Sequence, residues 1–251
     1  MIRLVSVSRR VGERLVLDDV TLRASAGELT LIEASRGAGK TSLLRIVAGL
    51  DRADAGEVWI GDRDVARLQR ASLPYVRRNV GYLPPDGGLI GGETAIENVM
   101  LAFAVRGAQP PEPARLFAWD VLKRLGASAC AEWNAERLSS GERRLVALAR
   151  ALAGRPPVLV LDDPSAALGP ADEGTVLSTL LDVAAAGACV VVGSSDAAFV
   201  SAAVRAGGRR IRLEAGRVEG GATLVAIASG ASPPARAAAA AHGSPADETE
   251  R

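Results

Sequence analysis

Apolar and polar residues alternate along the first part of the chain and then give way to other patterns. Residues 2–7 and 14–24 alternate with a period of two, which is typical of edge or half-buried strands. Residues 29–33 predict a short strand that runs into a glycine-rich turn, and residues 41–50 then predict a helix. The segment 156–162 is apolar without interruption at its centre, as buried parallel strands are.

Further along the chain the same reasoning predicts strands separated by helices. Residues 57–60 and 187–193 read as strands, and residues 210–218 as a terminal hairpin around Ala215 and Gly216. Residues 93–153 read as mostly helical, with a break at 107–113. This order predicts an α/β fold with a mostly parallel sheet and a helical insertion over about 86–153.

The charge and the apolar runs of the chain argue against some classes of function. The 251 residues carry 30 basic and 29 acidic side chains, a net charge of +1, which argues against a basic nucleic-acid-binding face. No run approaches the roughly 18 apolar residues of a membrane-spanning helix, and no signal peptide is visible, so work at a membrane requires a spanning partner. From residue 221 alanine, serine, proline and glycine predominate, which predicts one domain over 1–220 and a mostly disordered tail over 221–251.

A phosphate-binding loop is predicted where the strand 29–33 meets the helix 41–50. Gly37 and Gly39 allow backbone N–H groups to converge on an anion at the helix N-terminus. Lys40 is expected to reach the β- and γ-phosphates of ATP, and the Thr41 hydroxyl to bind Mg²⁺. The predicted nucleotide-binding residues of the loop are Ser35, Arg36, Gly37, Ala38, Gly39, Lys40, Thr41 and Ser42.

One loop position departs from the usual pattern. Ala34 stands where the first glycine is expected, and if that position required positive φ, alanine would cost roughly 1–2 kcal/mol. An incidental lysine in a glycine-rich turn is the competing interpretation. The order of strand, loop, Lys-Thr and helix favours the phosphate loop. So do the acids Asp162 and Asp163 at the end of a buried strand, where Asp162 would hold Mg²⁺ directly or through water.

The segment Leu138-Ser-Ser-Gly-Glu142 and the helix after it resemble the LSGGQ signature of ABC ATPases. Locally, Ser139 and Glu142 have the spacing of a helix capping box, so an ordinary capped helix is the competing interpretation. The resemblance implies a phosphate-loop NTPase fold of RecA-like type with an N-terminal antiparallel β subdomain and the signature on the helical insertion. It also implies that Ser139 and Gly141 meet the γ-phosphate bound by a second subunit, in a homodimer or a heterodimer.

Within that family the segments 73–81 and 93–99 most resemble the cell-division subunit FtsE and its relatives in lipoprotein and peptide export. This resemblance implies an FtsX-like, permease-like integral membrane partner and a location on the cytoplasmic face of the cell membrane. The apolar residues Leu89, Ile90 and 96–103 are expected to form a groove for a helix of that partner. Packing in the core explains them equally well.

Five positions differ from what the resemblance implies. Asp163 replaces the glutamate that polarises the attacking water, which leaves its carboxylate about one carbon–carbon bond, ~1.5 Å, short. Ser195 replaces the switch histidine, and the chain's one histidine, His242, lies in the tail. Pro85 replaces a glutamine and Gly169 an aspartate. Val11 replaces an aromatic residue that stacks on adenine, at a cost to binding of ~1–3 kcal/mol.

These changes predict a chain that binds Mg-ATP and hydrolyses it slowly or not at all. Three interpretations remain open from the sequence. The chain is a slow ATPase motor, a scaffold that does not hydrolyse ATP, or the degenerate half of a heterodimer whose companion supplies a complete catalytic half.

Overall fold

Two β-sheets, seven α-helices and three short 3₁₀ helices make up the regular structure of residues 1–105 and 114–219, which are the part of the chain that this computed structural model describes. The strands are β1 (Ile2–Val11), β2 (Arg14–Ala24), β3 (Leu29–Ala34), β4 (Ala55–Ile60), β5 (Arg63–Asp64), β6 (Val80–Leu83), β7 (Val158–Asp162), β8 (Cys189–Ser194), β9 (Arg209–Glu214) and β10 (Arg217–Val218). The helices are α1 (Lys40–Val47), α2 (Leu73–Arg77), α3 (Ala95–Val105), α4 (Ala114–Arg124), α5 (Ser140–Leu152), α6 (Pro170–Ala185) and α7 (Ala197–Arg205).

The first sheet is antiparallel and has the strand order β2-β1-β4-β5. Its alternating sequence buries Ile2 and Leu4 in the core. Val7 joins the same core because the register shifts between Leu4 and Val7, where Ser6 has φ of 50°. Strand β1 extends to Val11, beyond the predicted end at residue 7, because it continues as a hairpin with β2 in which Val11 pairs with Arg14. The predicted N-terminal antiparallel subdomain is confirmed.

The second sheet has the order β10-β9-β3-β8-β7-β6 and is parallel from β9 to β6. Every residue of β7 and β8 is buried, which accounts for their uninterrupted apolar runs. The terminal hairpin of β9 and β10 turns at Ala215 and Gly216, as predicted. Since β3, β8 and β7 are adjacent and parallel, the segments that follow them meet at one edge of the sheet.

The helical insertion consists of α3, α4 and α5, which share one core with the central strands. Ile96, Leu122 and Leu148 are fully buried there. The predicted break at 107–113 and the predicted tail over 221–251 lie outside the described residues. Among the described helices, none has both the length and the apolar character needed to cross a membrane.

The helix after the phosphate loop is shorter than the predicted 41–50. It ends at Val47 because Gly49 takes a left-handed conformation with φ of 68°. The N–H of Leu50 donates to the Arg45 carbonyl and that of Gly49 to the Ile46 carbonyl, which is the Schellman pattern of a helix end. Strand β6 had no counterpart in the sequence prediction, because it is only four residues long and contains Gly81, a residue type that is depleted in strands.

Strand β6 passes so close to α5 that Gly81 has no room for a side chain. A Cβ atom there would overlap the Ala151 carbonyl oxygen, and β6 would have to shift. We expect Gly81→Ala to lower the free energy of unfolding by about 1–3 kcal/mol, measured by urea denaturation. Gly92→Ala is the matched control, because a Cβ at Gly92 meets open space. Equal stability of the two variants would contradict this packing.

Candidate functional site

The phosphate loop starts from an unstrained backbone. Ala34 is the last residue of β3, where it pairs with Leu213 of β9 in extended conformation. The cost considered for alanine at this position therefore does not arise, since positive φ is not required there. Replacement of the first glycine leaves the start of the loop intact.

Two later glycines are required by the loop conformation. Gly37 and Gly39 have φ of 80° and 99°, and a Cβ on Gly39 would overlap the Val16 carbonyl oxygen. Gly39 caps α1 without a side-chain hydrogen bond, and the first turn of α1 contains no acidic residue. The N–H groups at the start of α1 are thus left to an anion such as a phosphate.

Lys40, Thr41 and Asp162 come together as predicted. The Lys40 ammonium donates to Asp162 Oδ1, and also to Asp163 Oδ2 at 2.5 Å. The Thr41 hydroxyl donates to Asp162 Oδ2 at 2.6 Å. Asp162 is fully buried and Lys40 is 8% exposed, so the buried carboxylate is compensated by an ammonium and a hydroxyl.

The two replaced catalytic positions, Asp163 and Ser195, contact each other. The Ser195 N–H donates to Asp163 Oδ1 at 2.9 Å, and the Ser195 hydroxyl lies 3.5 Å from the same oxygen. Asp163 has φ of 47°, and its N–H donates to the Gly193 carbonyl at 2.8 Å. Both oxygens of the Asp163 carboxylate are therefore occupied, one by Ser195 and the other by Lys40.

These groups border one cleft of about 670 Å³, a size that suits a nucleotide. The phosphate loop forms one wall, and the segments after β7 and β8 form the other. Of the predicted site residues, those that line the cleft are Ser35, Arg36, Gly37, Gly39, Lys40, Thr41, Ser42, Asp163 and Ser195. Ala38 and Asp162 are buried beside it.

The donor set at the base of the cleft fits Mg²⁺. Thr41 Oγ1 and Asp162 Oδ2 are the kind of hard oxygen ligands that Mg²⁺ prefers, and they are 2.6 Å apart. In residues 1–105 and 114–219 no group of three or more His, Cys, Asp or Glu side chains is placed to hold a metal. Phosphate oxygens and water would have to complete the coordination, as is usual for Mg²⁺.

The signature segment forms the predicted capping box at the start of α5. The Ser139 N–H donates to Glu142 Oε2 at 2.9 Å, and the Glu142 N–H donates to Ser139 Oγ at 3.3 Å. The Ser139 hydroxyl also donates to Glu142 Oε2 at 2.7 Å, and this bond together with the one from the Ser139 N–H holds the pKa of Glu142 below its usual value. Ser139 and Gly141 do not line the cleft of their own chain, and Gly141 packs near the Ala167 carbonyl instead.

The loop after β6 contains a contact that the sequence did not reveal. Arg144 of α5 donates to the Pro84 and Pro85 carbonyls at 3.1 and 2.5 Å, and Arg150 donates to the Gly87 and Gly88 carbonyls, each at 2.7 Å. Burial lowers the pKa of both arginines. For Arg144 this lowering is partly offset by nearby carboxylates, which raise its pKa, and Asp163 has the largest such effect. The loop that carries Pro85 is thus attached to the signature helix through its backbone.

An apolar groove of about 280 Å³ lies between α3, β6 and α5. Leu101, Ala102 and Val105 line it, with Arg77 and Arg78 also among its walls. Of the residues predicted to form a groove for a partner helix, Leu101 and Ala102 line this cavity. Ile96, Val99 and Phe103 are buried in the core, while Leu89 packs against that core and Ile90 is exposed. The residues of α3 that line the groove lie on the side of the helix that does not face the core.

Removal of the Lys40 ammonium tests the charge balance of the site. We expect Lys40→Met to lower the free energy of unfolding of the ligand-free protein by about 3 kcal/mol, because it leaves Asp162 buried without its cation. Urea denaturation measures this loss. In the double variant Lys40→Met/Asp162→Asn the buried charge is gone, so part of the loss should be recovered. A double variant at least as unstable as the single one would contradict the assignment.

A phosphate loop, a buried carboxylate at the end of a nearby parallel strand and a helical insertion that ends in a capped helix define a phosphate-loop nucleotide-binding protein. The family model described as "ABC transporter" matches residues 17–166. The chain belongs to the ABC transporter ATP-binding family.

Named relatives support this assignment. The chain is 35% identical to the methionine import ATP-binding protein MetN of Rhizobium johnstonii, over 73% of this chain and 50% of that protein. It is 30% identical to the cell division ATP-binding protein FtsE of Escherichia coli, over 88% of this chain and 98% of that protein. The chain thus spans about half the length of the methionine import relatives that it matches.

Solved structures agree with the fold. A dimeric ATP-binding cassette in a post-hydrolysis state, bound to ADP and Pi, superposes with a TM-score of 0.80 at 32% sequence identity. The match covers 87% of this chain and 97% of that structure. The predicted phosphate-loop NTPase fold is confirmed.

Proposed function

We propose that this chain is the ATP-binding subunit of an ABC-type membrane complex that resembles FtsE, and that it binds Mg-ATP but hydrolyses it slowly or not at all. One observation carries the proposal. Lys40, Thr41 and Asp162 are assembled at the base of the cleft, while the carboxylate of Asp163 beside them is already bonded to Lys40 and Ser195.

Binding would use the retained half of the site. The N–H groups around Gly37 and Gly39 would hold phosphate oxygens, and Lys40 would move from the carboxylates to the β- and γ-phosphates. Thr41 and Asp162 would hold Mg²⁺. Because the cation is available only after it leaves Asp163, phosphate binding has to displace an existing ion pair.

Hydrolysis would be impaired at the altered half. Asp163 is shorter than the glutamate that it replaces, and Ser195 supplies no imidazole. A misplaced general base typically reduces a rate by ~10²–10⁴-fold. The losses at Asp163 and Ser195 are not expected to multiply, because these groups contact each other and act as a unit.

A second copy or a companion chain would complete the site. Ser139 and Gly141 lie outside the cleft of their own chain, and the solved relative with ADP and Pi is dimeric. The capping box at Ser139 is intact although the catalytic position Asp163 is altered, and this combination favours a second candidate function. In a heterodimer, this chain would donate a working signature to the complete site of a companion.

The membrane partner would bind at the groove between α3 and α5. Its apolar lining of Leu101, Ala102 and Val105 suits one face of an amphipathic helix. A permease-like, FtsX-like subunit at the inner face of the membrane is the proposed partner. The proposed ABC domain occupies residues 1–220.

The proposal predicts binding of Mg-ATP with little turnover. Wild-type protein should bind Mg-ATP, Lys40→Ala should lose that binding, and steady-state release of phosphate should stay close to the Lys40→Ala background. In the double variant Asp163→Glu/Ser195→His, recovered turnover indicates a tuned motor, whereas no recovery favours the scaffold. Wild-type turnover at the rate of an ordinary family ATPase, abolished by Lys40→Ala, would contradict impaired hydrolysis.

The groove can be tested through Val105, whose exposed position makes it tolerant of a charge. Val105 is 63% exposed, so Val105→Glu should leave stability within about 0.5 kcal/mol. It should weaken co-purification with a membrane protein encoded by a neighbouring gene and co-expressed, since a carboxylate would enter the apolar contact. Val204→Glu, at an exposed apolar position on α7 outside the groove, is the control. Equal recovery with both variants would argue against this docking site.

A further inference from the structure

The cleft has a distinct end that is formed by β2. Of the residues that line the cleft, only Arg14 and Val16 come from the antiparallel sheet. The lining residues found in the described part of the chain include no aromatic side chain. Val11, at the position where an aromatic residue was expected, is 57% exposed and does not line the cleft.

The positions of the phosphate-binding groups determine which end would receive the nucleoside. Lys40 and Asp163 mark the end where the terminal phosphate would lie, and Ser195 stands beside them. A nucleotide held there by its phosphates must extend its sugar and base away from Asp163. Arg14 and Val16 line the cleft beside Gly37 and Gly39 of the phosphate loop, where they are placed to contact the sugar and base.

The Arg14 side chain is held at this end by the phosphate loop itself. Its Nη2 atom donates to the Gly37 carbonyl at 3.1 Å, which connects the start of β2 to the loop. A guanidinium group is planar and weakly hydrated, so it stacks on aromatic faces in a way that an ammonium does not. A purine base offers such a face, and base stacking on arginine is a known source of nucleotide affinity.

We propose that Arg14 is a nucleotide-binding residue whose guanidinium stacks on the base of the bound nucleotide, with Val16 as its apolar neighbour. The inference rests on the proposed function, because it requires the phosphates to lie in the Gly37–Lys40 loop. Stacking is tolerant of base identity, since every base has a π-face. The site is therefore expected to bind Mg-ATP and Mg-GTP with similar affinity.

The test compares a nucleotide with a ligand that has no base. Isothermal titration calorimetry of Arg14→Ala should show a roughly tenfold weaker affinity for Mg-ATP and an unchanged affinity for magnesium tripolyphosphate. Arg14→Phe should retain the affinity for Mg-ATP. The matched control is Arg10→Ala, because Arg10 lies in the same hairpin and donates to a carbonyl, that of Glu13 at 3.2 Å, but does not line the cleft.

Three results would overturn the role of Arg14. They are an unchanged Mg-ATP affinity in Arg14→Ala, an equal loss of affinity for tripolyphosphate, and a loss in Arg14→Phe as large as in Arg14→Ala. Lys40→Ala separates this failure from a failure of the proposed function. If Lys40→Ala abolishes binding of both ligands while Arg14→Ala has no effect, the nucleotide site stands and the stacking role alone is wrong.

Discussion

The ammonium group of Lys40, shared between the carboxylates of Asp162 and Asp163, holds together the parts of the site. It connects the start of α1 to the end of β7, and the hydrogen bond from Ser195 to Asp163 extends the network to the segment after β8. Asp162 is fully buried and would carry an uncompensated charge without this cation. This arrangement therefore depends on the same lysine that we propose to bind phosphate.

In the proposed function, this shared lysine would make nucleotide binding and catalysis depend on each other. A triphosphate that takes Lys40 removes one of the two groups that hold Asp163, and leaves that carboxylate to Ser195. In this chain the freed carboxylate is shorter than glutamate and has a serine beside it. The ion pair thus compensates the buried charge of the site, and the side chains around it are the basis for the slow hydrolysis that we propose.

Local motifs could be predicted from the sequence, but contacts distant in the chain could not. The phosphate loop, Asp162 and the Ser139 capping box follow from residue types at fixed short spacings. The attachment of the Pro85 loop to Arg144 joins residues 59 positions apart, and nothing in either segment alone indicates it. Whether Ala34 is strained could not be judged from the sequence, because it depends on the backbone conformation at that residue. The structure shows no strain there, since β3 continues through Ala34.

The lining of the groove between α3, β6 and α5 could likewise not be predicted from the sequence. An apolar helix over 96–103 could be predicted, but which side of it faces the core depends on how α3 packs against α5. The structure turns Phe103 inward and leaves Val105 exposed. The place of Arg14 in the cleft could not be predicted from the sequence either, because it depends on how closely β2 approaches the phosphate loop.

We propose that this site holds Mg-ATP without hydrolysing it efficiently, and this can be measured. It is tested most directly by the chemical identity of the bound nucleotide in a single-turnover experiment. Excess protein is mixed with radiolabelled Mg-ATP, and bound nucleotide is collected on a filter and separated by chromatography over time. We predict that the bound nucleotide remains ATP long after binding is complete. Rapid conversion to bound ADP and phosphate would contradict it.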